Sequence, residues 1–117
     1  MKKTKMLKKN YQFKKVLSKG KFFIEKNIEI FVLKNNLKIN LLGIAVSTKN
    51  GKAFQRNKIK RLIRESYYKL EPQLIDGNSI VILIKKETDL KNMNFDEVFN
   101  SLKSCFYKAR ILKEEEK

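Results

Sequence analysis

The chain has 117 residues, a length that suits one domain with one modest core, and 42% of them are apolar, too many for a disordered polymer. Its formal net charge of +16 repels itself in isolation and attracts polyanions, with nucleic acid the first partner class and an anionic membrane surface the second. One cysteine, Cys105, and no histidine exclude an internal disulfide and a Ser-His or Cys-His nucleophile pair, and argue against a zinc site.

The basic start MKKTKMLKKN is followed by no apolar signal segment, so the expectation is a soluble cytoplasmic protein. Residues 1–6 read as a mobile basic arm. A helical period begins near Leu7 and puts Leu7, Phe13, Val16 and Leu17 on one face. Asn10 is its candidate cap, and Gly20 its candidate left-handed stop. Phe22 to Leu33 reads as one extended segment in which Ile28, Ile30 and Val32 alternate with Glu29, Phe31 and Leu33. After a turn at Lys34-Asn35-Asn36, Leu41 to Thr48 predicts a second strand pairing with the first.

Asn50-Gly51 is a turn signal that opens a long amphipathic helix. Ile59, Leu62, Ile63, Tyr67 and Leu70 form its apolar stripe. On a helical wheel Asn57, Arg61 and Arg64 lie opposite that stripe, Arg56 and Lys60 flank one edge, and Lys58 flanks the other. Pro72 stops the helix near Leu70. Asp76-Gly77 is a further turn, and Ser79 to Ile84 is apolar enough for a strand buried on both faces. Asn94 and Glu97 suit the start of a last helix with a core stripe of Phe95, Val98, Phe99, Leu102, Cys105 and Phe106. The tail from Ile111 puts three Glu where a helix end disfavours negative charge, and is expected to fray. The order is α-β-β-α-β-α, with room for one further strand before the second helix. It predicts an α/β (α+β) two-layer sandwich, a small mixed sheet packed by helices. The strands flanking the basic helix should be parallel neighbours or one strand apart.

Lys49 to Tyr68 stands out chemically. The chain has four arginines; Arg56, Arg61 and Arg64 fall in this stretch, and Arg110 is the fourth. Elsewhere the basic residue is Lys. Arg offers a planar fork that grips phosphate with two hydrogen bonds, which an ammonium cannot do. Positive charge at a helix N-terminus opposes the macrodipole, and Arg56, Lys60 and Arg64 repel one another at i, i+4 spacing. A purely structural helix gains by mixing in Glu, so the cluster points to a polyanion that supplies the missing charge.

The segment GKAFQRNKIKRLIRES resembles the Arg-Asn-Arg signature of the bacterial ribonuclease P protein component, G-x-A-x-x-R-N-R-x-K-R-x-x-R-E. Gly51, Ala53, Arg56, Asn57, Lys60, Arg61, Arg64 and Glu65 match it, and Lys58 stands where the family has Arg. LKKNYQFKKVLSKGK is similar to the family's N-terminal helix. GIAVSTK and SIVILIKK are similar to the strands on either side of the signature, so the likeness runs from about Leu7 to Arg110.

The resemblance implies a one-domain sandwich with a left-handed β-α-β crossover. It implies an RNA-binding, non-catalytic protein subunit of an endoribonuclease that removes the 5′ leader from precursor tRNA. Catalysis would belong to a partner RNA using Mg²⁺ that the RNA mainly binds. Lys52, Arg56, Asn57, Lys58, Lys60, Arg61 and Arg64 would face that RNA. Phe13, Leu17 and Phe31 would line a cleft for the single-stranded leader, with Lys9, Lys14, Lys15 and Lys49 beside it. Aromatic faces stack on bases whatever their identity. Phe at helical or strand spacing is otherwise an ordinary core residue. No paired-carboxylate motif suggests a nuclease site in the protein itself. A ribosomal RNA-binding protein would share the size and charge. A peripheral membrane protein would need an exposed apolar face beside the charges, and the apolar stripes are all accounted for by a core.

Overall fold

A computed structural model describes residues 4–113. Five strands form one mixed sheet: β1 (Thr4–Met6), β2 (Lys21–Glu25), β3 (Ile28–Lys34), β4 (Asn40–Ala45) and β5 (Asn78–Ile84), in spatial order β1-β4-β5-β3-β2. The helices are α1 (Asn10–Lys19), α2 (Ala53–Leu70) and α3 (Phe95–Lys108).

The central strand is β5, parallel to β4 on one side and antiparallel to β3 on the other. Its sequence, NSIVILI, needs apolar cover on both faces, which only an inner position supplies. The second apolar run therefore does not pair with β3 as expected from the sequence, because β5 lies between them. Helix α2 joins the adjacent parallel strands β4 and β5. The segment expected to be one strand, Phe22 to Leu33, folds at Lys26-Asn27 into the β2–β3 hairpin, with Lys26 at φ 51°.

The two sheet faces carry different helices. Ile30, Ile82 and Leu42 share a face with Ile28, Ile80 and Ile84, and meet Ile59, Ile63 and Tyr67 of α2 and Leu102 and Phe106 of α3 in the main core. Helix α1 crosses the other face over β3 and β5, where Val16 and Val81 are buried. Lys9, not Asn10, is the residue before its first turn, and Gln12 Oε1 accepts a bond from the Lys9 N–H at 3.4 Å. Gly20 ends the helix with extended angles, φ −74°, rather than left-handed ones. Glycine is required there because a Cβ would stand 2.5 Å from the Val16 carbonyl oxygen.

Residues 4–6 and 111–113 are more ordered than their composition predicts. Residues 4–6 of the expected basic arm form β1, parallel to β4, and the Thr4 hydroxyl lies 2.7 Å from that of Tyr67. Burial pushes the Tyr67 phenol far above its usual pKa, although its bond to Thr4 opposes the shift. At the other end Ile111 is buried, Leu112 bridges to Leu74, and the Lys113 N–H donates to the Gln73 carbonyl at 2.7 Å. The expected fraying is therefore absent from residues 111–113: the chain leaves α3 before the acids and docks beside the end of α2. Residues 1–3 and 114–117 lie outside the described residues.

Candidate nucleic-acid interface

A short 3₁₀ turn, Thr48–Asn50, leads into α2. Its geometry is fixed from both sides. Asn50 Nδ2 donates to the Lys85 carbonyl at 3.1 Å, tying the turn to the end of β5. Arg56 Nη1 donates to the Gly51 carbonyl at 2.7 Å, tying the turn to the helix. The Lys52 N–H, orphaned at the helix start, donates to Gln55 Oε1 at 2.9 Å.

The apolar stripe of α2 is buried as the periodicity predicts: Ile59, Leu62, Ile63, Tyr67 and Leu70, joined by Ser66. That burial sets the direction of the cations. Lys52, Asn57, Lys58, Arg61 and Arg64 are exposed, while Arg56 and Lys60 are half-buried at the edge. The arginines are not equivalent. Arg56 already spends a donor on the turn. Arg61 reaches Glu65 at 3.8 Å, a loose ion pair between side chains that are 62% and 54% exposed. Such a pair is weak and gives way readily to a phosphate.

The candidate cleft lies on the α1 face. Gly43 of β4, Val81 of β5 and Phe31 of β3 form one cross-strand row. The Phe13 ring sits on Gly43, so closely that a Cβ there would stand 2.7 Å from Phe13 Cζ. Leu17 follows one turn later on the same side of α1 and is exposed. Phe31 is half-buried and meets Phe22 across the hairpin, their ring centroids 5.1 Å apart. Phe13 is therefore a packing residue on the same face of the sheet as Phe31. Lys9, Lys14, Lys15 and Lys49 are all exposed. Lys9 immediately precedes α1, one turn before Phe13, and Lys49 lies in the turn before α2. The Lys9 ammonium lies 6.0 Å from the Tyr11 ring centre.

Two aromatic residues escaped the sequence reading. Phe22 is 47% exposed beside Phe31. Its register would have been legible had the Lys26-Asn27 turn been recognised, since period 2 then puts Phe22, Phe31 and Ile24 on one face. Phe54 is 69% exposed in the first turn of α2, on the side that carries Asn57, Lys58 and Arg61. The clue there was an aromatic residue lying off the apolar stripe.

No group of three or more His, Cys, Asp or Glu converges among the described residues. Glu25 is engaged by Lys108, whose hydrogen bond and charge hold its carboxyl below the usual range. None of the described helices is long and apolar enough to cross a membrane.

The profile of the ribonuclease P family matches residues 1–110. The chain is 41% identical over 83 residues to the ribonuclease P protein component of Natranaerobius thermophilus, covering 71% of this chain and 72% of that one. Against the Listeria monocytogenes component it is 38% identical over 115 residues, covering 97% and 95%. The fold is similar to that of the Staphylococcus aureus RNase P protein, with a TM-score of 0.81, 28% identity and coverage of 92% and 97%. It is also similar to the Thermotoga maritima RNase P protein, with a TM-score of 0.77, 27% identity and coverage of 86% and 93%. The basic helix α2, this sheet order and these relatives agree: the chain belongs to the ribonuclease P protein component family.

Proposed function

We propose that this protein is the non-catalytic subunit of ribonuclease P, holding a catalytic RNA and a precursor tRNA together while the RNA removes the 5′ leader. The observation that carries this reading is the presence of two unlike surfaces on one small fold. The exposed face of α2 offers Asn57, Lys58, Arg61 and Arg64 on a rigid stripe. Such a face binds phosphate without reading sequence. The face under α1 offers Phe13, Phe31 and Phe22, with Leu17 at the rim. Rings of this kind stack on unpaired bases, at about 1–3 kcal/mol per base. A duplex-only binder has no use for the second surface.

Among the described residues no group of three carboxylates converges, and this reading gives the protein's own residues no catalytic metal. The metal ions stay with the RNA. The +16 charge contributes by lowering the repulsion between two polyanions. Tighter assembly then raises the apparent affinity for substrate and for Mg²⁺.

Reconstitution tests the reading. Purified protein is mixed with ribonuclease P RNA at low Mg²⁺ and a precursor tRNA carrying a leader. Cleavage should be stimulated, and Phe13→Ala should weaken long-leader substrates by about fivefold, close to 1 kcal/mol, while leaderless tRNA binds as before. No stimulation by the unaltered protein would overturn the assignment.

A further inference from the structure

A further groove lies on neither of these surfaces. It has a volume of about 680 Å³, within the usual range for a ligand site, and opens where α1 ends, β2 begins and α3 stops. Lys19, Lys21, Lys34 and Arg110 line it around a floor that includes Phe23 and Ile75, and no carboxylate among the described residues lines it. A second depression at the end of α3 shares Ile75 and Arg110 with it and adds Tyr107, which is 76% exposed. The groove lies by Asn78, at the first residue of β5, whereas the turn before α2 is tied to Lys85, just past its last. The seven residues of β5 separate the two by about 20 Å.

Arg110 is the one arginine outside the signature stretch. It occupies the stop of α3, where its N–H donates to the Tyr107 carbonyl and that of Ile111 to the Phe106 carbonyl. These two bonds make a Schellman cap, whose left-handed residue is usually Gly. Arg110 holds that position at φ 59°. A side chain there is disfavoured relative to glycine. Lys26 and Glu87 bear similar angles in turns, so the angle alone means little. The distinction of Arg110 is that its side chain lines both depressions.

We propose that this groove is a second RNA site, which takes an unpaired, anionic segment of RNA at the end of the sheet remote from the signature helix. Four cations would meet phosphates, and Phe23 and Tyr107 offer faces for bases. The segment could belong to the catalytic RNA or to the distal part of a long leader, and the two sources are separable by experiment.

The test compares the full-length protein with Arg110→Gly and with the triple variant Lys19→Ala, Lys21→Ala, Arg110→Gly. Arg110→Gly should melt at the same temperature or higher, since glycine suits the cap, yet bind RNA more weakly. A residue with only a structural role cannot give that pair of results. For the triple variant, the plot of log K against log salt should become shallower by about 2, from three lost contacts to single-stranded RNA. One arm uses ribonuclease P RNA alone. The other uses assembled holoenzyme with precursor tRNA of short or long leader. A shallower slope in the first arm assigns the site to the catalytic RNA. A change confined to long leaders assigns it to the leader. Unchanged affinity and slope in both arms overturn the proposal. Arg61→Ala with Arg64→Ala serves as the control: if it too changes nothing, the reading of the signature helix falls as well.

Discussion

Arg56 and Arg61 stand one residue off a common helical row, yet they do different work. Arg56 stitches the helix to the turn before it through the Gly51 carbonyl, whereas Arg61 has only Glu65 to hold it. Arg56→Ala should therefore lower stability by about 1 kcal/mol as well as weaken RNA binding, visible as an earlier denaturation midpoint. Arg61→Ala with Arg64→Ala should leave the midpoint within about 0.5 kcal/mol and flatten the salt dependence of RNA binding. Equal stability losses in both variants would show that Arg56 has no structural part. Cys105 gives a second residue-scale test. Burial raises its thiol to about 11, whereas the unfolded thiol titrates at about 8.5. Above pH 8.5 the unfolded state loses its proton first. The contribution to stability is thus complete below about 8.5 and is lost as pH rises toward 11. Cys105→Ala should reduce the alkaline slope of stability over that window; an unchanged slope would assign it to other groups such as Tyr67.

Among the elements, α1 and its seat are the most exposed to a single change. Gly43→Ala drives a methyl into the Phe13 ring. Thermal or urea unfolding should show a loss of about 1–3 kcal/mol from overpacking, and leader-dependent cleavage should fall more than leader-independent cleavage. Normal stability with normal leader binding would mean that Phe13 moves aside freely. The sequence could not reveal this seat. Helix α2 was legible almost residue by residue, because one stripe buries against one core. So was β5, whose composition demands two covered faces. The order of strands was not, because which apolar runs become neighbours depends on where β5 inserts. Nor were β1 and residues 111–113, where two short segments gain their place from tertiary partners, Leu42 and Leu74, rather than from any local period.

The whole molecule combines +16 formal charges with a core that two helices and one sheet face enclose. Self-repulsion opposes that compact state, and the ion pairs of Arg61 with Glu65 and Lys108 with Glu25 are too exposed to offset it. Raising salt from about 0.05 to 0.5 M should therefore raise the melting temperature by several degrees, followed by circular dichroism without RNA. A falling temperature would mean that attractive pairs outweigh the excess.

The inner place of β5 also governs the order in which the protein can be made. During synthesis the β2–β3 hairpin emerges before β4, yet these pieces share no edge. Their edges are paired only when residues 78–84 leave the ribosome and insert between them. Until then the nascent chain carries its cations without a finished fold, at the surface of a particle made largely of RNA. A fragment that ends before Asn78 thus lacks the strand that both sheet halves pair with, and the seven residues that close the sheet act as its keystone.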